Sequence, residues 1–195
     1  DALPISIAAM GYDLPAAIGV WAASRDQECY SQGDRPTGKD LILLTGDGSI
    51  QMNLQELQTI VHHEMNIKIF LINNGGYHSI RQTQKNFFGE PLVGVGVDSC
   101  DLSFPSMDKL AAAYGYPYVA ARHNGQLAEA VEATLAMDGP VICEVFVSRD
   151  QNFEPKSSAK RLPDGTMVSP PLEDLSPFLP DEEMDANMII PRIRE

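Results

Sequence analysis

The sequence predicts an α/β fold of three layers, α/β/α, around a mostly parallel central sheet. Leu41-Ile42-Leu43-Leu44-Thr45 and Ile67-Lys68-Ile69-Phe70-Leu71-Ile72 are short, nearly continuous apolar runs, as expected of strands buried on both faces. Each stops in a polar tight turn, Gly46-Asp47-Gly48 after the first and Asn73-Asn74-Gly75-Gly76 after the second. Between them Leu54, Leu57, Ile60 and Val61 recur at helical spacing. Strand, helix and strand joined by short turns give parallel strands with helices packed on the sheet.

The other elements follow in order. Residues 14–23 read as a helix, with Asp13 as its N-cap and Pro15 in the first turn. Residues 27–39 are polar, with Gly33, Pro36 and Gly38, and read as a surface loop. Residues 53–63 form the helix between the two strands. A polar stretch runs through Gly89. It is followed by a helix near 107–114, a short strand around 118–120, a helix near 127–137 and a last apolar strand over 141–147. From Gln151 the character changes: seven of the fourteen prolines and many acidic residues lie there. That composition predicts an irregular arm that packs on a neighbour or is partly mobile.

At 195 residues the chain can build one sizeable core with appendages, and a hydrophobic content of 44% marks it as a folding chain. A formal charge of −13 argues against sequence-independent nucleic-acid binding, which needs clustered cations. It leaves room for a local anion site, because backbone N–H groups and a metal hold phosphate without basic side chains. No apolar run reaches the roughly 18 residues of a membrane span, so no membrane association is expected. Cys29, Cys100 and Cys143 are odd in number and widely spaced, which fits a reducing compartment and a cytoplasmic protein. The chain starts at Asp1 with no methionine or signal peptide and meets motif-like text almost at once, so a fragment of a longer protein is expected.

Both polar turns fall at the carboxyl ends of expected parallel strands, where open α/β sheets bind ligands. Either turn alone is ordinary turn chemistry. Together they place a carboxylate, Asp47, and an amide, Asn74, where both can offer oxygen to one hard cation. Mg²⁺ is such a cation, and it commonly shares its shell with water and ligand phosphates.

The segment Ala9-Met10-Gly11-Tyr12-Asp13-Leu14-Pro15-Ala16-Ala17-Ile18-Gly19, the Gly46-Asp47-Gly48-Ser49 turn and the Asn73-Asn74 pair together resemble the thiamine diphosphate enzymes of the acetohydroxyacid synthase and pyruvate decarboxylase superfamily. The likeness is to their C-terminal, diphosphate-binding domain and its thiamine diphosphate-binding fold. It implies residues 1–150 as the thiamine diphosphate/Mg²⁺ (PP-type) domain, residues 151–195 as the C-terminal arm, and missing N-terminal domains. It also implies Asp47, Asn74 and the Gly76 carbonyl as Mg²⁺ ligands, completed by two diphosphate oxygens and a water. Gly48, Ser49 and the backbone and side chains near Tyr77 and His78 would donate to the diphosphate. Met10 would wedge beneath the cofactor and hold it bent, and the carbonyl near Ala8 would accept from its amino group. Proximity of that kind is worth several powers of ten in rate. The family's glutamate, which drives the aminopyrimidine, lies in the N-terminal domain of the same or a partner subunit. This chain alone is therefore expected to be inactive and to work in a homodimer or homotetramer.

Ile80 stands where pyruvate decarboxylase-like enzymes carry a glutamate that handles protons, and where acetohydroxyacid synthases are apolar. That favours decarboxylation of a 2-oxo acid, pyruvate being the expected one, followed by transfer of the acyl unit to a carbonyl acceptor. Thr83 replaces a tryptophan that shapes acceptor choice in the synthases, and the tail around Pro170-Pro171 departs from theirs. Another acceptor, such as an activated keto-sugar, therefore fits as well. The alternatives are a simple 2-oxo acid decarboxylase, including a split-subunit form, and a non-catalytic assembly domain. His62-His63-Glu64 reads as a solvated helix end, since zinc-binding histidines on a helix need i, i+4 spacing. His123 reads as surface. For Arg81 and Lys85 the choices are an exposed helix face or the substrate entrance.

Overall fold

The computed structural model describes residues 9–30, 40–152 and 154–192, with no side-chain description over 25–30. Contacts divide the chain into two compact units, Asp1–Asp150 and Gln151–Glu195. In the first unit the elements run α1 (Asp13–Tyr30), β1 (Leu41–Gly46), α2 (Asp47–Ile50), a short 3₁₀ turn (Gln51–Asn53), α3 (Glu56–His62), β2 (Ile67–Asn73), α4 (His78–Phe87), α5 (Met107–Tyr114), β3 (Tyr118–Ala121), α6 (Leu127–Ala136) and β4 (Val141–Phe146).

The four strands form one parallel sheet in the order β1-β2-β4-β3. Alternation along the strands divides its side chains between two faces. Leu43, Ile69, Leu71 and Ile142 join Leu14 and Ala17 of α1, Leu57 and Ile60 of α3, and Met107 and Ala111 of α5 in the main core. On the opposite face Phe70, Cys143 and Ala121 pack with Ala130 of α6. This second layer stops short of β1, where Ile42 and Leu44 remain 54% and 64% exposed.

Several boundaries differ from expectation. Helix α1 continues to Tyr30, so residues 27–30 of the expected loop are helical; residues 31–39 lie outside those described. Asp13 is the first helical residue. Its carboxylate accepts from the Leu14 N–H at 3.0 Å and from the Thr45 hydroxyl, tying the start of α1 to the end of β1. The stretch read only as polar contains a full helix, α4, whose low apolar content hid it. The expected helix over 53–63 begins earlier and in pieces, because α2 starts at Asp47 itself.

Lys68 is fully buried in the middle of β2, an unusual place for a cation. Its ammonium donates to the Met137 carbonyl and to Gly139 O at 2.7 Å, with Asp40 at 3.8 Å. Those carbonyls lie just past the end of α6, so the lysine caps that helix from inside the sheet.

The second unit has more regular structure than an irregular arm. A short antiparallel pair, β5 (Lys160–Arg161) and β6 (Met167–Val168), closes through a turn at Gly165, and α7 (Asp181–Asn187) follows. Lys160 lies over the Phe178 ring and 3.7 Å from the buried Asp174.

Replacing Lys68 with Met should leave the carbonyls of Met137 and Gly139 without this donor, at a cost of about 1–3 kcal/mol. Urea unfolding of the variant against wild type measures it.

Candidate functional site

The register of the first two strands builds the site. Gly46 pairs with Ile72, so the turns that follow β1 and β2 leave the sheet side by side. Asp47 is buried and sits in the gap. One carboxylate oxygen accepts from its neighbour Gly48 N–H at 2.8 Å; the other accepts from the N–H groups of Gly75 at 2.8 Å and Gly76 at 3.0 Å. The two loops expected to converge are joined by this carboxylate. Burial pushes the Asp47 carboxyl above the ordinary carboxylate range, against the opposing pull of those three donors and of the Arg81 charge. A carboxyl raised in this way favours the fold while protonated, and that contribution is lost as pH rises through the folded-state value. Ionised Asp47 is thus a load on the fold that a bound cation would relieve.

In the loop that Asp47 anchors, Asn74 Oδ1 is buried and has no hydrogen-bond partner among the described residues. A buried amide oxygen left this way is costly unless something accepted at the site completes it, and a hard cation does so. A carboxylate, an amide oxygen and a main-chain carbonyl form an oxygen donor set suited to Mg²⁺. Among the described residues there is no cluster of three or more His, Cys, Asp or Glu that could hold a metal ion.

Ser49 and Asn53 bring in the third piece. Ser49 Oγ accepts from the Gly11 N–H at 2.9 Å, and the Asn53 amide donates to Gly11 O. The Met10-Gly11 turn is therefore docked on the segment that starts at Asp47, with Met10 left 39% exposed. Ala8 lies outside the described residues.

Other expected residues are engaged differently. The Gly48 N–H is held by Asp47, the Tyr77 N–H donates to Val95 O at 2.9 Å, and the His78 N–H donates to Gly76 O at 3.1 Å. These three backbone groups have acceptors within the chain. The Tyr77 ring packs on Gly48 and meets Phe104 edge-on at 5.5 Å. His78 is buried, and its Nδ1 lies 3.0 Å from Arg81 Nη2. Arginine only donates, so Nδ1 accepts and the ring proton sits on Nε2. His62 and His63 are exposed at the end of α3, stacked edge-on against each other. His123 is exposed.

Sequence reasoning misplaced Arg81 and left Asn73 and Glu144 without a role. Arg81 is neither on an exposed face nor at an entrance: it is 1% exposed. Lys85 is exposed, as one of the two readings held. Asn73, the unassigned member of its pair, orients the loop, since Oδ1 accepts from Gly75 N–H at 3.0 Å and Nδ2 donates to Glu144 at 2.6 Å. Glu144 is buried on β4 and also accepts from the Tyr118 hydroxyl, whose acidity is suppressed by burial and then by that bond. The only sequence signal for Glu144 was a charge inside an otherwise apolar strand.

Fold and site define an open parallel α/β domain with its polar loops gathered at the carboxyl end of the strands. The family described as "Thiamine pyrophosphate enzyme, C-terminal TPP binding domain" matches residues 4–145, and the chain belongs to it. An acetolactate synthase large subunit of Cyanidium caldarium is 34% identical over 147 residues, 75% of this chain and 22% of that protein. A pyruvate decarboxylase of Aspergillus parasiticus is 47% identical over 74 residues, 38% of this chain and 13% of that protein. Among solved structures, a benzoylformate decarboxylase of Polynucleobacter necessarius superposes with a TM-score of 0.60 at 20% identity, over 73% of this chain and 24% of that one, a likeness of fold. The chain spans less than a quarter of the length of these relatives.

A Cβ on Gly48 would lie 2.4 Å from Tyr77 Cε1, whereas one on Gly19 in α1 meets open space. Gly48→Ala should destabilise by about 1–3 kcal/mol through overpacking. Gly19→Ala should stabilise by about 0.5–1 kcal/mol through helix propensity. Opposite shifts in the urea midpoint test the pair.

Proposed function

We propose that this domain holds thiamine diphosphate through Mg²⁺ ligated by Asp47, Asn74 and the Gly76 carbonyl. In this reading it forms the cofactor-binding half of an acetolactate synthase-like enzyme that decarboxylates a 2-oxo acid, pyruvate being the expected one, and transfers the acyl unit to a carbonyl acceptor. The observation that carries the reading is the buried Asn74 Oδ1, without a partner among the described residues, in a loop anchored on Asp47. When bound, the cofactor supplies the nucleophilic carbon and the electron sink for decarboxylation.

The chain's own residues would do the rest by placement. Asp47 is the one carboxylate assigned to the metal, which leaves positive charge for an anionic diphosphate. Ser49 Oγ accepts from Gly11, leaving its hydroxyl hydrogen for a second acceptor. Met10 would support the cofactor rings in this reading; its exposure, on a turn that Asn53 ties to the segment after Asp47, is compatible with that role. Ile80, half-exposed on α4, is apolar where the resemblance would put a proton-handling glutamate in a pyruvate decarboxylase-like enzyme, and that supports the ligation reading. The reading brings with it a pyrimidine-binding domain from the same or a partner subunit, a dimer or tetramer, and a cytoplasmic location. Among the described residues no helix is long and apolar enough to cross a membrane. The similarity to a pyruvate decarboxylase over 74 residues favours a second reading, simple 2-oxo acid decarboxylation.

Calorimetry on the full-length protein should give thiamine diphosphate binding that requires Mg²⁺ and is abolished in Asp47→Ala. The Mg²⁺ requirement should steepen as pH falls toward the raised Asp47 value, because a protonated carboxyl cannot ligate. Binding without metal, or binding indifferent to Asp47, would overturn the site. Product analysis with pyruvate, alone and with carbonyl acceptors, separates ligation from release of free aldehyde.

A further inference from the structure

The loop that carries Asn74, Gly75 and Gly76 is clamped from outside by residues 95–97. Gly76 and Gly96 form an antiparallel bridge, Tyr77 N–H donates to Val95 O at 2.9 Å, and Val97 N–H donates to Gly75 O at 3.1 Å. The two backbones cross so closely that a Cβ on Gly76 would lie 2.0 Å from Val95 O, and one on Gly96 would lie 2.3 Å from Gly75 O. A buried guanidinium joins both sides of this crossing. Arg81 Nη2 donates to Asn74 O at 3.3 Å and to His78 Nδ1 at 3.0 Å, and Nη1 donates to Asp98 at 2.7 Å. The other Asp98 oxygen accepts from Arg149 at 2.7 Å, and a Cβ on Gly75 would lie 3.4 Å from Arg149 Cδ.

We propose that Arg81 is a positioning residue, whose guanidinium fixes the Asn74–Gly76 ligand loop through the Asn74 carbonyl and, by way of Asp98, staples residues 95–97 over it. This rests on the metal-site reading above and adds a supporting layer to it. The loop's backbone is set before any ion arrives, so a ligand amide and a ligand carbonyl need little rearrangement to bind. Planarity matters as well as charge, because one fork meets three partners on different elements and a lysine ammonium cannot reach all three. Arg149, half-exposed, reinforces the same staple from the surface.

Two readouts on the full-length protein test it. Amide hydrogen exchange, measured without metal or cofactor, should accelerate at least tenfold over residues 74–77 and 95–97 in Arg81→Met and stay unchanged over β2 and β4. Arg149→Met, a surface change that leaves the core intact, should give the same pattern at smaller amplitude, and Lys85→Met none. The Mg²⁺ concentration for half-maximal thiamine diphosphate binding should rise by about 10- to 100-fold in Arg81→Met, the usual effect of removing a group that orients a metal ligand. Arg81→Lys should resemble Arg81→Met in both. Protection that survives in Arg81→Met and Arg149→Met, a loss spread evenly through the sheet, or full rescue by lysine each overturns the proposal. Should the wild-type protein show no Mg²⁺-dependent binding, the functional reading fails, and the exchange pattern alone decides the role of Arg81.

Discussion

The site depends on one carboxylate bridging two loops. Asp47 leaves β1 and takes the N–H groups of Gly75 and Gly76 from the turn after β2. Parallel strands diverge into separate connections at their carboxyl ends, and nothing in the ladder holds those connections together. Here the bridge is a charged acceptor receiving backbone donors, among the stronger hydrogen bonds available to a protein. It stands in a buried position where the carboxylate is incompletely compensated. Under the proposed function, loop alignment and the binding of a cation would share one cause.

Around this bridge the neighbouring groups divide their work. Asn73 turns inward to Glu144 and braces the loop against the sheet, while Asn74 keeps a buried oxygen that no described residue satisfies. Two adjacent residues of identical chemistry thus differ, one tied to the sheet and one with an oxygen that has no partner among the described residues. The glycines at 76 and 96 serve the same end. Their backbones cross at distances that no side chain permits, and the crossing presses the loop into place.

Much of this was legible beforehand. The apolar strands ending in Gly-Asp-Gly and Asn-Asn-Gly-Gly gave the parallel sheet, its ligand-binding end and the pair Asp47 and Asn74, because strand burial and turn chemistry are local properties. Family resemblance extended the reading to Met10 and the cofactor. What escaped was whatever depended on a distant partner. Arg81 looked like any polar residue on a helix of low apolar content, yet it is buried because Asp98, Asn74 and His78 surround it with acceptors. Lys68 read as an interruption in a strand and proved to be an internal cap for α6.

By itself the sequence determined the four strands of the parallel sheet, most of the helices between them, the polar residues at the strand ends and the hard-cation chemistry those residues suit. Those follow from periodicity and from the donor and acceptor inventory of each side chain. Only the tertiary structure decided which backbone N–H groups have acceptors within the chain, how Asn73 braces the loop against Glu144, and which cation stood behind the loop. Such matters turn on groups far apart in sequence meeting within hydrogen-bond distance, and that is fixed by strand register and helix packing.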